Sequence, residues 1–210
     1  MPESLRLHRW GAAGGIAFAL LVVVWFFLTH VPAAADAPNH VLDVYDEPGV
    51  RAQAFAGTLV LAVAALCFIG FLGDLVTVLR KADGSDGPLP TVALSSGICF
   101  LVLTLAAGAM FVVLPNLIAF DEVSTQVDPD IASVTVQLGY LLLFVYATVS
   151  ASGLVIATSV IGMRARLVPR WLGYAGYLLS GLVFVGASGP PLFLLMLWIA
   201  GISIALRPRT

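Results

Sequence analysis

Charge is scarce in this chain. Its 210 residues carry 10 Lys and Arg against 12 Asp and Glu, while 60% are hydrophobic and the mean hydropathy is +1.02. Water-soluble domains hold roughly a quarter charged residues, so a soluble fold is excluded. Cysteine is scarcer still. Cys67 and Cys99 form no C-x-x-C pair, which removes a disulfide scaffold and a quinone-linked thiol oxidoreductase. They fall at similar depths on consecutive antiparallel segments, so they can be neighbours, and their expected role is that of small buried apolar side chains. The histidines, His8, His30 and His40, all lie outside the apolar runs, which removes bis-histidine haem and argues against zinc. No Walker loop, dinucleotide fingerprint or internal repeat is present, so neither nucleotide chemistry nor an inverted-repeat transporter has support. No cofactor, metal site or nucleic-acid partner is expected.

What the chain does have is long apolar runs. A helix crossing the hydrocarbon layer needs roughly 20 apolar residues, and six runs qualify: Gly11–Leu28, Ala52–Leu79, Thr91–Phe120, Ser133–Met163, Trp171–Ala187 and Pro191–Leu206. Backbone groups in lipid must be satisfied internally, and the alternation of a barrel strand is absent, so the runs are helices. Nine of the ten basic residues sit at alternate segment ends: Arg6, Arg9, Arg80, Lys81, Arg164, Arg166, Arg170, Arg207 and Arg209. The other loops carry Arg51 with Asp36, Asp43, Asp46, Glu47, Asp121, Glu122, Asp128 and Asp130. The positive-inside rule then places both termini in the cytoplasm. The expectation is a single all-α domain over residues 1–210, a polytopic helical bundle of six spans in the plasma membrane.

The segment "THVPAAADAPNH", Thr29 to His40, complicates the first span, because a basic start, an apolar core and an Ala33-x-Ala35 site are the grammar of a cleaved signal. Gly11–Leu28 is longer than the usual signal core of roughly 7 to 15 residues and ends in Trp25, Phe26 and Phe27, an interfacial anchor. An uncleaved first helix is expected. Further on, "KADGSDGPLP" has turn chemistry, with Pro90 suited to the first turn of the third helix. Small residues mark packing seams: Gly97, Thr104, Gly108 and Pro115 share one side of the third helix, and Gln137, Tyr140, Ala147, Ala151 and Thr158 one side of the fourth. In lipid such seams bring backbones close and let hydroxyls bond across helices.

Asp74 is the ionisable residue set well inside a span, about 9 Å below the inner end of its helix at the usual rise per residue. Its helical face carries Cys67, Gly70 and Thr77, so it is expected to face the bundle. Intramembrane carboxylates are costly and invite a functional reading; the structural reading is pairing with Arg80 and Lys81, a bond to a hydroxyl, or protonation by desolvation. "GASG", Gly186 to Gly189, resembles the serine-nucleophile motif of rhomboid proteases. That chemistry needs a histidine on a later helix, whereas all three histidines come earlier, and Ser188 precedes two prolines, so a turn is expected. The acidic loops "DVYDEPGVR" and "FDEVSTQVDPD" match no calcium-loop spacing and read as solvated surface.

"RARLVPRWLGYAGYLLSGL", Arg164 to Leu182, combines basic residues, Pro169 before a helix start, an interfacial Trp171 and packing glycines. The chain resembles, over most of its length, a broad family of small bacterial six-helix membrane proteins classed as a domain of unknown function. The resemblance implies fold and location and carries no catalytic residue. The leading expectation is a non-enzymatic bundle surrounded by membrane lipids, packing with itself or with a membrane partner. The alternative is a membrane-embedded enzyme or carrier for a lipidic ligand such as a prenyl substrate, with Asp74 as proton donor or acceptor and Asp43 or Asp121 supplying a second acid.

Overall fold

The structure is a computed structural model and describes residues 9–29, 44–45, 47–84, 87–120, 128–185 and 190–207. Six long helices make up the described residues: α1 (Arg9–Leu28), α2 (Pro48–Asp83), α3 (Leu89–Phe120), α4 (129–164), α5 (Arg170–Val185) and α6 (Pro190–Ala205). Over their described residues, the six expected runs fall on these six helices. Local chemistry sets their ends. Pro48 opens α2, and Gly84 closes it with φ 81, a left-handed conformation that suits glycine. Asp128 caps α4 by accepting a bond from the Asp130 N–H at 2.9 Å, with Pro129 in the first turn. Pro90 lies in the first turn of α3, as its position implies.

Each helix packs on its sequence neighbours, and α6 returns to α1, closing a ring. Glycine contacts show that the neighbours run antiparallel. Gly14 faces Cys67 while Gly57 faces Trp25, and Gly97 faces Leu72 while Gly108 faces Leu61. Likewise Gly139 meets Phe111 and Gly153 meets Ser96, Gly173 meets Met163, Gly201 meets Leu172 and Gly15 meets Ser203. Arg80, Lys81, Arg164, Arg166, Arg170 and Arg207 therefore gather at one end of the bundle, with Glu47, Arg51, Asp128 and Asp130 at the other.

Phe18, Phe68, Phe71 and Phe100 fill the basic half of the interior, with Phe18 and Phe68 rings 4.5 Å apart. Trp25, Phe111, Tyr140 and Phe144 fill the other half, joined through Phe26 to Phe193 on α6. Outside, Leu59, Val63, Leu66 and Ile69 on α2, Leu178 on α5 and Leu197 on α6 are exposed. An apolar perimeter around an apolar core, on four helices long and apolar enough to span a bilayer, is the character of a membrane protein. α5 and α6 have 16 residues each, about 24 Å at the usual rise.

The seam expected on α3 is real, since Gly97, Thr104, Gly108 and Pro115 are all buried. The α4 seam is not a single face. Ala147, Ala151 and Thr158 are buried and Tyr140 is half-buried, but Gln137 is exposed. Residues Leu141–Ala147 form a π-helical segment, whose wider turns advance fewer degrees per residue, so positions before it lose phase with those after it. The signal-like stretch beyond Thr29 and the GASG turn lie outside the described residues.

Candidate functional site

α1 begins with Gly11, Gly14 and Gly15, and that glycine face lets it lie directly against α2. A Cβ on Gly14 would stand 2.8 Å from the Cys67 carbonyl oxygen and 3.6 Å from the Phe71 nitrogen, so backbone meets backbone there. One turn earlier, a Cβ on Gly11 would overlap the Asp74 carboxylate. Asp74 is half-buried, and its other neighbours on α2, Gly70, Gly73 and Thr77, are exposed. It thus sits at the rim of the α1–α2 seam, not facing the bundle centre. The buried stripe of α2 runs through Phe68, Leu72, Leu75 and Leu79, and at about 100° per residue Asp74 falls roughly 130° from it.

The expected partners of Asp74 do not engage it. Arg80 and Lys81 are exposed, and no hydrogen bond or ion pair to the carboxylate occurs among the described residues. The nearby Thr77 hydroxyl donates to the Gly73 carbonyl oxygen at 2.8 Å. Asp43 and Asp121, the candidate second acids, lie outside the described residues, as do His8, His30, His40 and Ser188. Among the described residues no three His, Cys, Asp or Glu side chains come together as metal ligands. Cys67 and Cys99 are both free. Cys67 is half-buried against α1 and Cys99 is exposed on α3, so they do not share a buried environment.

Buried hydroxyls bond back to their own helices, contrary to the interhelical bonding expected at the seams. Thr104 donates to the Phe100 carbonyl at 2.8 Å, Ser180 to Gly176 at 2.9 Å and Ser203 to Ile199 at 2.8 Å. Such i−4 bonds commit the hydroxyl proton to the helix and leave these oxygens to act only as acceptors. Three buried hydroxyls have no partner among the described residues: Tyr45, Thr158 and Ser159. Tyr45, in a short helical stretch ahead of α2, packs among Leu114, Ile118, Ala132 and Val136. Burial pushes its phenol above the ordinary range, and neighbouring Tyr140 adds to the shift. Nothing in "DVYDEPGVR" except an aromatic residue amid acids could have marked it.

A groove of about 350 Å³ runs between α5 and α6. Trp171, Leu172, Ala175, Leu179, Leu197 and Trp198 are among its lining residues, and its floor is fixed by Trp198, whose Nε1 donates to the Leu172 carbonyl oxygen at 3.2 Å. Of the glycines of α5, Gly173 faces Met163 on α4, Gly176 lies between Ser159 on α4 and Trp198 on α6, and Gly181 faces open space. Leucine and tryptophan side chains line the space between α5 and α6. Asp74 has no part in this groove. No protein-family model matches the chain, and neither the curated proteins nor the solved structures contain a significant match.

Proposed function

We propose that the chain is a multi-pass protein of the plasma membrane, crossing six times with both termini in the cytoplasm. In this reading it performs no catalysis and serves as a helical bundle that packs with itself or with another membrane protein. The observation that carries it is the state of the polar side chains: the buried hydroxyls of Thr104, Thr148, Ser180 and Ser203 donate to their own backbones, and only those of Tyr45, Thr158 and Ser159 are left without a partner among the described residues. The arrangement of basic ends supports the orientation. The resemblance to bacterial six-helix proteins of unknown function agrees in size and layout. Gly70 and Gly73 are exposed, with open space where a Cβ would lie, and offer a close-approach face for a second helix.

Native mass spectrometry of the protein extracted in native nanodiscs tests this. The reading expects a dimer or a defined complex that Gly73→Leu disrupts; a monomer throughout contradicts it. A second reading, an enzyme or carrier for a lipidic substrate, is favoured by the half-buried Asp74, which has no ion partner among the described residues. Asp74→Asn preserves shape and polarity. Under the non-catalytic reading it expresses, inserts and supports growth as the wild type does; normal folding with a lost growth phenotype supports the second reading.

A further inference from the structure

The α5–α6 groove is apolar, and the end at which Trp171 opens it is strongly basic. Arg164, Arg166 and Arg170 surround the α4–α5 turn, and Leu172 beside Gly201 brings the end of α6, with Arg207, to the same place. All four arginines are exposed and none forms an ion pair among the described residues. No Asp or Glu occurs between Asp130 and Thr210, and of the described acids Asp83, which closes α2, lies at this end of the bundle. Trp171 lines the groove and is 68% exposed beside Arg170, the position of an aromatic residue at headgroup level.

The turn itself supplies an independent observation. α4 ends in a Schellman motif: the Leu167 N–H donates to the Gly162 carbonyl at 2.8 Å and the Arg166 N–H to the Met163 carbonyl at 3.2 Å. The left-handed residue of that motif is usually glycine, yet here it is Arg166, with φ 53, the one non-glycine residue at positive φ among those described. An unfavourable backbone position thus holds a cation in the turn that leads into α5, five residues before Trp171 of the groove. Strained residues of this kind concentrate where a side chain is needed.

We propose that this end of the α5–α6 groove binds an anionic phospholipid of the bilayer, one acyl chain lying along the groove and the phosphate held by Arg166 and Arg170. A volume of about 350 Å³ falls within the range of small-ligand sites, and basic pockets between membrane helices favour anionic headgroups. The inference rests on the membrane reading above.

The test uses the full chain purified in mild detergent, offered phosphatidylglycerol and phosphatidylcholine of identical acyl chains in equal amounts and read by native mass spectrometry. The expected result is several-fold preferential retention of phosphatidylglycerol. Arg166→Gly combined with Arg170→Gln removes the preference, while Arg166→Gly alone keeps or raises the melting temperature because glycine suits the turn. Gly201→Leu, whose Cβ would stand 3.2 Å from Leu172, fills the groove and lowers retention of both lipids. Equal retention by the wild type, or a preference indifferent to the arginine variants, overturns the headgroup site and leaves the membrane reading intact. A dimer abolished by Gly201→Leu overturns it in favour of a second copy in the groove. A protein soluble without detergent that retains neither lipid overturns the membrane reading as well.

Discussion

The helix pairs α1–α2 and α5–α6, joined in the ring where α6 meets α1, pack by opposite rules. At the basic end of the α1–α2 seam, Gly11, Gly14 and Gly15 leave one wall without side chains, and at Gly14 the backbones touch. Where α5 meets α6, Gly173 is turned toward α4 and Gly176 is shared between α4 and Trp198, and Leu172, Leu179, Leu197 and Trp198 line a groove between the helices. Without water to drive apolar surfaces together, side-chain size decides closeness. Glycine count alone says little; the face on which the glycines fall decides whether a pair closes or leaves room for something else.

The most damaging way to break that contrast is Gly14→Leu. Its new side chain meets the Cys67 carbonyl, a backbone atom that cannot swing aside, so a loss of about 2 kcal/mol or more is expected in unfolding by sodium dodecyl sulfate. Gly73→Ala on the same helix pair meets nothing within 4 Å and should stay within about 1 kcal/mol of wild type. Equal losses for both would mean that the α1–α2 seam is not close-packed. On the open pair, Trp198→Phe removes the bond to the Leu172 carbonyl and should cost about 1 kcal/mol in the same assay.

The smallest effect concerns the acidic end. Tyr45 holds its proton more tightly in the folded chain than unfolded, so its contribution is present below the usual tyrosine value of about 10 and is lost as pH rises beyond it. Tyr45→Phe should abolish that alkaline loss and, by removing a buried hydroxyl that has no partner among the described residues, leave neutral-pH stability unchanged or raised by up to about 1 kcal/mol. A clear loss at pH 7 would reveal a bond to the hydroxyl.

Hydropathy reads most of the fold because each membrane helix must satisfy its own backbone. It stops short where helices outrun their apolar stretch: α2 starts at Pro48 and runs to Asp83, beyond the run Ala52–Leu79, because a proline start and a glycine stop set its limits. The π segment of α4 left no mark in the sequence, and with it went the placement of Gln137. For Asp74 the helical period identified its companions correctly but not which way that face turns, since the tight approach of α1 depends on glycines in another segment. Arg166 looked like one more positive-inside residue; only its backbone conformation distinguishes it.

Six crossings with every basic end on the cytoplasmic side is the claim on which the rest stands, and α5 and α6, at 16 residues each, are its weakest supports. Single cysteines introduced at Arg166, Glu47, Asp128 and Ser188, in a chain with Cys67 and Cys99 replaced by alanine, can be labelled in intact cells with a membrane-impermeant maleimide. The account predicts labelling at positions 47, 128 and 188 in intact cells and at 166 only after permeabilisation. Labelling of 188 with the same protection as 166 would contradict it, making the α5–α6 pair a hairpin that enters the membrane without crossing.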